Sequence, residues 1–185
     1  MTINSQDAAE VLANADLIYN SQQISLALDR MASEISSRLA SKDPLVLCVM
    51  NGALIPAGQL LTRLNFPLRH DYIHATRYRG ETSGSELEWK GHPSASLAGE
   101  TILIIDDILD HGITLAAIVK KCQDAGATEV LSAVLVEKCH DRGIGFKADF
   151  VGLQVEDRYV FGYGMDYKGY HRNAPAIYAL ADDSC

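Results

Sequence analysis

Missing first is any long apolar run. The most apolar stretch, Thr101 to Asp107, is short and meets acids at once, far below the ~20 residues a membrane-spanning helix needs. Basic clusters are missing too: no segment gathers five Lys or Arg, and 16 basic against 24 acidic residues leave a net charge of −8. A broad patch that neutralises nucleic-acid phosphates is therefore not expected. Cysteine is sparse, with four in 185 residues (Cys48, Cys122, Cys139, Cys185) and no CxxC or Cys/His spacing, so they read as structural thiols, not as a zinc or redox motif. Met1 to Glu10 has no basic start followed by an apolar segment, which gives no sign of a secretion signal and makes the cytoplasm the default location. Glycine motifs for phosphate are absent in their two commonest forms, GxxxxGK[ST] and GxGxxG.

What is present reads as one domain over residues 1–185, of α/β class, with a mainly parallel sheet flanked by helices. Ser21 is a plausible N-cap before Ile24, Leu28, Met31, Ile35 and Leu39, which repeat at helical spacing up to Lys42-Asp43-Pro44. Leu45 to Met50 is a continuous apolar run, as expected of a strand buried on both faces, and a helix should follow over about 56–64. Residues 68–78 read as a second strand. The polar, Gly/Ser-rich stretch from Arg79 to Glu100 is the expected mobile loop or hairpin. Then come a strand at Thr101–Ile105, a helix at Ile113–Ala125 closed by Gly126, and strands at Glu129–Val136, Phe150–Val155, Tyr159–Tyr163 and Ile177–Leu180. His70 and His74, four apart on a strand, lie ~13 Å from one another at ~3.3 Å per residue, so no zinc pair is expected.

The chemistry concentrates in TILIIDDILDHGITLAAI, residues 101–118. A buried strand runs into three carboxylates, a small turn and a helix, and ligands of α/β folds collect at such strand ends. Asp106 and Asp107 are expected to end the strand and Asp110 to open the turn. Gly112 allows close approach of the backbone, Thr114 offers a hydroxyl, and the free N–H groups of the helix start suit a phosphate. The acidic pair suits sugar hydroxyls or the water shell of Mg²⁺, which both need acceptor-only oxygens. Helix capping by acids is the plainer alternative.

That segment resembles the signature of the type I phosphoribosyltransferases, in which a hydrophobic strand is followed by two acids, two apolar residues and D-x-G-x-T. From about Leu45 to Leu180 three more segments resemble the 6-oxopurine, hypoxanthine-guanine branch: VLCVMNGALIPAGQLL its pyrophosphate loop, ATRYRGETSG its flexible loop, and VEDRYVFGYGMDYKGYHRNAPAIYAL its purine pocket. The resemblance implies the type I phosphoribosyltransferase fold with a small hood built from terminal segments, residues 150–185 supplying purine pocket and hood. It implies transfer of phosphoribosyl from phosphoribosyl pyrophosphate to hypoxanthine or guanine with Mg²⁺, and a homodimer or homotetramer without nucleic acid or membrane. Asp110 would be the general base near the purine N7. Asn51, Gly52, Asp106, Asp107, Asp110, His111, Gly112, Ile113, Thr114 and Arg172 would bind phosphoribosyl pyrophosphate, with Asp106, Asp107 and Asp166 serving the metal. Lys138 would face the purine O6, Tyr159 would stack on the ring, the Val160 main chain would accept from the base, and Arg77-Tyr78 would sit in the flexible loop.

Three positions depart from the usual pattern. His111 stands in place of Thr and is expected to donate to the 5′-phosphate or to point to solvent. Asn51 replaces a lysine of many relatives, so that loop should bind through its backbone, with a strained or cis Met50–Asn51 peptide as one way to do so. Arg77 replaces Ser, reaching pyrophosphate or pairing with Glu81 or Glu86. Plainer readings accompany the pocket residues: Lys138 as a solvated lysine, Tyr159 and Val160 as core, Asp166 as a turn residue, Arg172 as the partner of an acid. Other functions consistent with residues 101–118 are a sensor of phosphoribosyl pyrophosphate on the same fold, or a transferase for xanthine or a pyrimidine.

Overall fold

The computed structural model describes residues 3–77 and 87–181, without the side chains of Arg77 and Leu87. A six-stranded sheet in the order β4-β3-β2-β5-β6-β7 carries the fold. Its strands are β2 (Leu45–Val49), β3 (Arg69–Arg77), β4 (Leu87–Gly91), β5 (Thr101–Leu109), β6 (Glu129–Cys139) and β7 (Phe150–Glu156). Every neighbouring pair is parallel except β3 with β4. Ile102 to Ile105 are all buried, because helices cover both faces of the central strands. On one face lie α2 (Ser21–Leu39) and α3 (Leu54–Leu61), in contact with each other, while α4 (Ile113–Asp124) packs separately over β3, β5 and β6.

Helix α2 buries Ile24, Leu28, Met31, Ile35 and Leu39, the stripe legible in the sequence. Its N-cap is Asn20, not Ser21: the Asn20 side chain accepts from the Gln23 N–H and the Gln23 side chain accepts from the Asn20 N–H, a reciprocal cap that an amide pair closes as well as Ser and Glu would. Met31 and Arg30 meet β7 where Gly152 leaves room. A Cβ there would lie 2.6 Å from the Leu135 carbonyl oxygen and 2.8 Å from the Met31 sulfur, and the Arg30 guanidinium donates to the Gly152 carbonyl.

A second, three-stranded sheet forms the hood, in the order β1-β9-β8, from β1 (Asp16–Tyr19), β8 (Val160–Phe161) and β9 (Ile177–Ala179). The amino terminus supplies β1 after α1 (Ser5–Asn14), which Asn4 and Asp7 cap reciprocally. Neither α1 nor β1 was expected: four residues of strand with two faces half open leave almost no alternation to read. Helix α3 starts two residues earlier than expected and ends at Leu61. The stretch after Arg79 contains a strand, β4, so where it is described it is one arm of a hairpin with β3.

Candidate functional site

Strand β5 does not stop at the acidic pair. It pairs with β6 as far as Leu109↔Glu137, so Asp106 and Asp107 lie within the strand and only Asp110 opens the turn. Parallel pairing with β6 continues past the point where the apolar run ends, beyond Ile105 where the β2 ladder stops, because backbone bonds do not depend on side-chain polarity. The consequence is electrostatic. Asp106 is 7% exposed, and burial together with the neighbouring Asp107 charge pushes its carboxyl well above the usual range. Burial also raises Asp107, although Asp106 as hydrogen-bond partner and the Arg172 guanidinium pull the other way. Both carboxyls therefore bind a proton more readily than free aspartates do. The Cys48 thiol beneath them is pushed up to about 11 by burial and the two aspartates, and burial takes Cys122 to about 11 as well, so neither is a ready nucleophile.

Backbones crowd this pair. A Cβ on Gly52 would lie 1.9 Å from Asp107 Oδ2, and one on Gly164 would lie 2.1 Å from the Gly52 carbonyl oxygen. The Met50–Asn51 peptide is cis. Gly112, at φ +81, is the N-cap of α4 and no side chain caps the helix, which leaves the first-turn N–H groups directed outward. These groups line a cavity of about 520 Å³ whose walls include Asn51, Gly52, Asp106, Asp107, Asp110, His111, Gly112, Thr114, Asp166 and Arg172. Ile113 begins the helix but is not in that wall.

A smaller cleft of about 190 Å³ adjoins it, lined by Asp107, Ile108, Asp110, Lys138, Tyr159, Val160, Met165 and Asp166. The four residues assigned to a base thus meet, and Asp110 belongs to both walls. Lys138 is not a solvated lysine: its side chain is 13% exposed, with Nζ 3.9 Å from Asp110 Oδ2 and 3.9 Å from Asp157 Oδ1. Tyr159 is not core either; it is 46% exposed and its hydroxyl donates to the Asp166 carbonyl at 3.2 Å. Val160 is buried.

Arg172 ties the hood to the strand ends. It donates to the Gly164 carbonyl at 2.6 Å and to Asp166 Oδ1 at 2.5 Å, and its Nη1 lies 3.9 Å from Asp107 Oδ2. Asp166 Oδ2 in turn accepts from the Gly169 N–H, so the plainer readings of both residues hold alongside their places in the cavity. Partial burial raises the Asp110 carboxyl, but the His140 hydrogen bond and the nearby Lys138 and His111 outweigh it and hold it below the ordinary value. His111 Nδ1 lies 3.2 Å from Asp110 Oδ1 yet is buried without a hydrogen bond. The Arg77 side chain, Tyr78, Glu81 and Glu86 lie outside the described residues, so the reach of Arg77 falls there too.

Sequence reasoning missed His140 and Asp157. One signal was available for the first: His140 follows Lys138 by two positions, so along an extended chain it leaves on the same side.

Residues 14–168 match the phosphoribosyl transferase domain family. The chain is 30% identical to the hypoxanthine-guanine-xanthine phosphoribosyltransferase of Tritrichomonas foetus, over 90% of this chain and 91% of that one. It is 32% identical to the hypoxanthine-guanine phosphoribosyltransferase of Bacillus subtilis, over 89% and 92%. A hypoxanthine phosphoribosyltransferase from Trypanosoma cruzi, solved with ternary substrates, superposes with a TM-score of 0.85 at 25% identity, covering 92% of this chain and 98% of that one.

Proposed function

The chain belongs to the phosphoribosyl transferase domain family, and on that premise we propose that it transfers phosphoribosyl from phosphoribosyl pyrophosphate to hypoxanthine or guanine, giving IMP or GMP. The observation that carries this reading is the position of Asp110 in the wall of both cavities. A sugar-phosphate in the larger one and a base in the smaller one would meet beside that carboxylate.

In this reading the purine N9 lone pair forms the bond to C1′ as the bond from C1′ to pyrophosphate breaks and its electrons leave with pyrophosphate. The proton on N7 passes to Asp110, whose ionised state fits a base. The α4 N-terminus at Gly112 to Thr114 holds the 5′-phosphate. Asn51 and Gly52 bring backbone groups to pyrophosphate, where Arg172 supplies a forked donor. Lys138, little exposed between two carboxylates, donates to O6. Adenine would face that ammonium with its own amino donor, a mismatch able to reject an analogue by roughly 10⁴-fold. Tyr159 offers a half-exposed ring for stacking and Val160 its carbonyl.

The buried acidic pair fits a divalent cation, since both carboxyls are pushed up by burial that a cation would relieve. Asp106 and Asp107 would hold Mg²⁺ or its waters, with Asp166 serving a second ion. Bound Mg²⁺ offsets the charge that develops on departing pyrophosphate. A homodimer or homotetramer in the cytoplasm belongs to the same proposal; among the described residues no helix is long and apolar enough to cross a membrane.

The test is an ultraviolet assay with phosphoribosyl pyrophosphate and Mg²⁺, offering hypoxanthine, guanine, xanthine and adenine in parallel. Turnover of the first two, lost on chelation, is expected. Failure of all four overturns the reading in favour of another base or a sensor.

A further inference from the structure

Asp110 Oδ1 is 2.7 Å from His140 Nε2, and the His140 side chain is 6% exposed. At the other ring nitrogen, Nδ1, the Arg142 backbone N–H donates at 3.2 Å. An Nδ1 that accepts carries no proton, so in the neutral ring the proton sits on Nε2 and is donated to Asp110. A backbone amide thus sets the tautomer, the tautomer sets the donor, and the donor occupies one oxygen of the carboxylate. Asp110 Oδ2 remains, facing Lys138.

The same geometry disposes of a rival. Asp110, His111 and His140 have ligand atoms within 4.8 Å of one another, a spacing a transition metal could bridge. With Nδ1 accepting from Arg142, His140 Nε2 holds the proton and has no lone pair for a metal.

We propose that His140 is a positioning residue for the transfer reaction, holding Asp110 by one oxygen so that the other is presented to the purine N7. This rests on the reading of Asp110 as base given above. The segment that carries the histidine is itself anchored: the Ile144 N–H donates to the His111 carbonyl at 3.1 Å, and Arg142 pairs with Asp157. Ion-pairing and titratable groups facing Asp110 are His111 from the turn before α4, Lys138 on β6 and His140 just after it. Asp157 stands behind Lys138, and Asp106, Asp107 and Arg172 lie farther along the cavity. Of these, only His140 makes a hydrogen bond to the Asp110 carboxylate.

Losing the donor frees the carboxylate to rotate and removes the contact that lowers its pKa. His140→Ala should lower kcat by about ten- to a hundredfold, the scale seen when a group that orients a functional residue is removed. KM for phosphoribosyl pyrophosphate should change little, and the acid limb of kcat/KM should move to higher pH. His140→Gln, whose amide can both donate to Asp110 and accept from Arg142, should recover much of the loss. In an Asp110→Asn background His140→Ala should change nothing further. An unmoved acid limb, or an equal loss in the Asp110→Asn background, would overturn the positioning role. So would a proton on Nδ1 in ¹⁵N spectra of the histidine ring, a readout independent of activity. Full turnover by Asp110→Asn would remove the base assignment itself, and the positioning role with it.

Discussion

Two adjacent aspartates on a buried strand are held against their electrostatic preference. Because the folded carboxyl of Asp106 lies above its ordinary value, the folded state binds protons more readily than the unfolded chain. Its stabilising share is present below the unfolded pKa and lost as pH rises through the folded one. At neutral pH the pair costs stability. Asp106→Asn, which keeps an oxygen to accept from the Asp107 N–H, should raise Tm at pH 7 by about 2–4 °C, equivalent to ~1 kcal/mol for a chain of this size. The gain should fade as pH drops toward 4, and activity should fall. A calorimetric scan showing no gain at pH 7 would contradict this account. The acidic pair was legible in the sequence because three carboxylates after an apolar run are conspicuous. Their burial was not, since it depends on ladder bonds from β6 that carry no residue signature.

At the scale of elements, the fit of α2 against β7 depends on Gly152. A side chain there would press the Leu135 carbonyl and the Met31 sulfur, and overpacking of this kind costs about 1–3 kcal/mol. Gly152→Val should lower the urea midpoint accordingly while leaving turnover per folded molecule nearly intact, because Gly152 lines neither site cavity. A variant of unchanged midpoint would show that α2 can retreat freely. Helices and inner strands were readable because their apolar positions repeat at 3.6 or fill whole runs: Ile24 to Leu39 and Ile102 to Ile105 are buried as their spacing implied. Hood strands of two to four residues were harder. β8 keeps only Val160–Phe161 of an expected five residues, since the glycines at 162 and 164 turn the chain at positive φ.

The whole molecule joins a parallel sheet, whose β5 ends in the turn before α4, to a hood whose Val160 lines the smaller cleft. The hood joins distant parts of the chain: Asp16 faces Ala179, which also faces Val160. A chain stopped after Ala176 loses β9, the shared partner of β1 and β8, and with it the buried Ile177 and Ala179. It also loses the Leu180 carbonyl to which Arg158 donates. Such a chain should still bind phosphoribosyl pyrophosphate by calorimetry but turn over hypoxanthine at least a hundredfold more slowly; full turnover would detach the hood from base binding. Connections of this length are invisible to local patterns, so the sequence marked residues that share the smaller cleft but not that the amino terminus braces them.

That brace also sets a clock. At five to twenty residues per second, the strand at Ile177–Ala179 emerges from the ribosome about ten to thirty seconds after the strand at Asp16–Tyr19 that waits for it. The turn between β5 and α4, with the β6 strand beside it, is made within that interval. Under the proposed function, the residues assigned to the 5′-phosphate are thus made well before the hood that frames the smaller cleft can close.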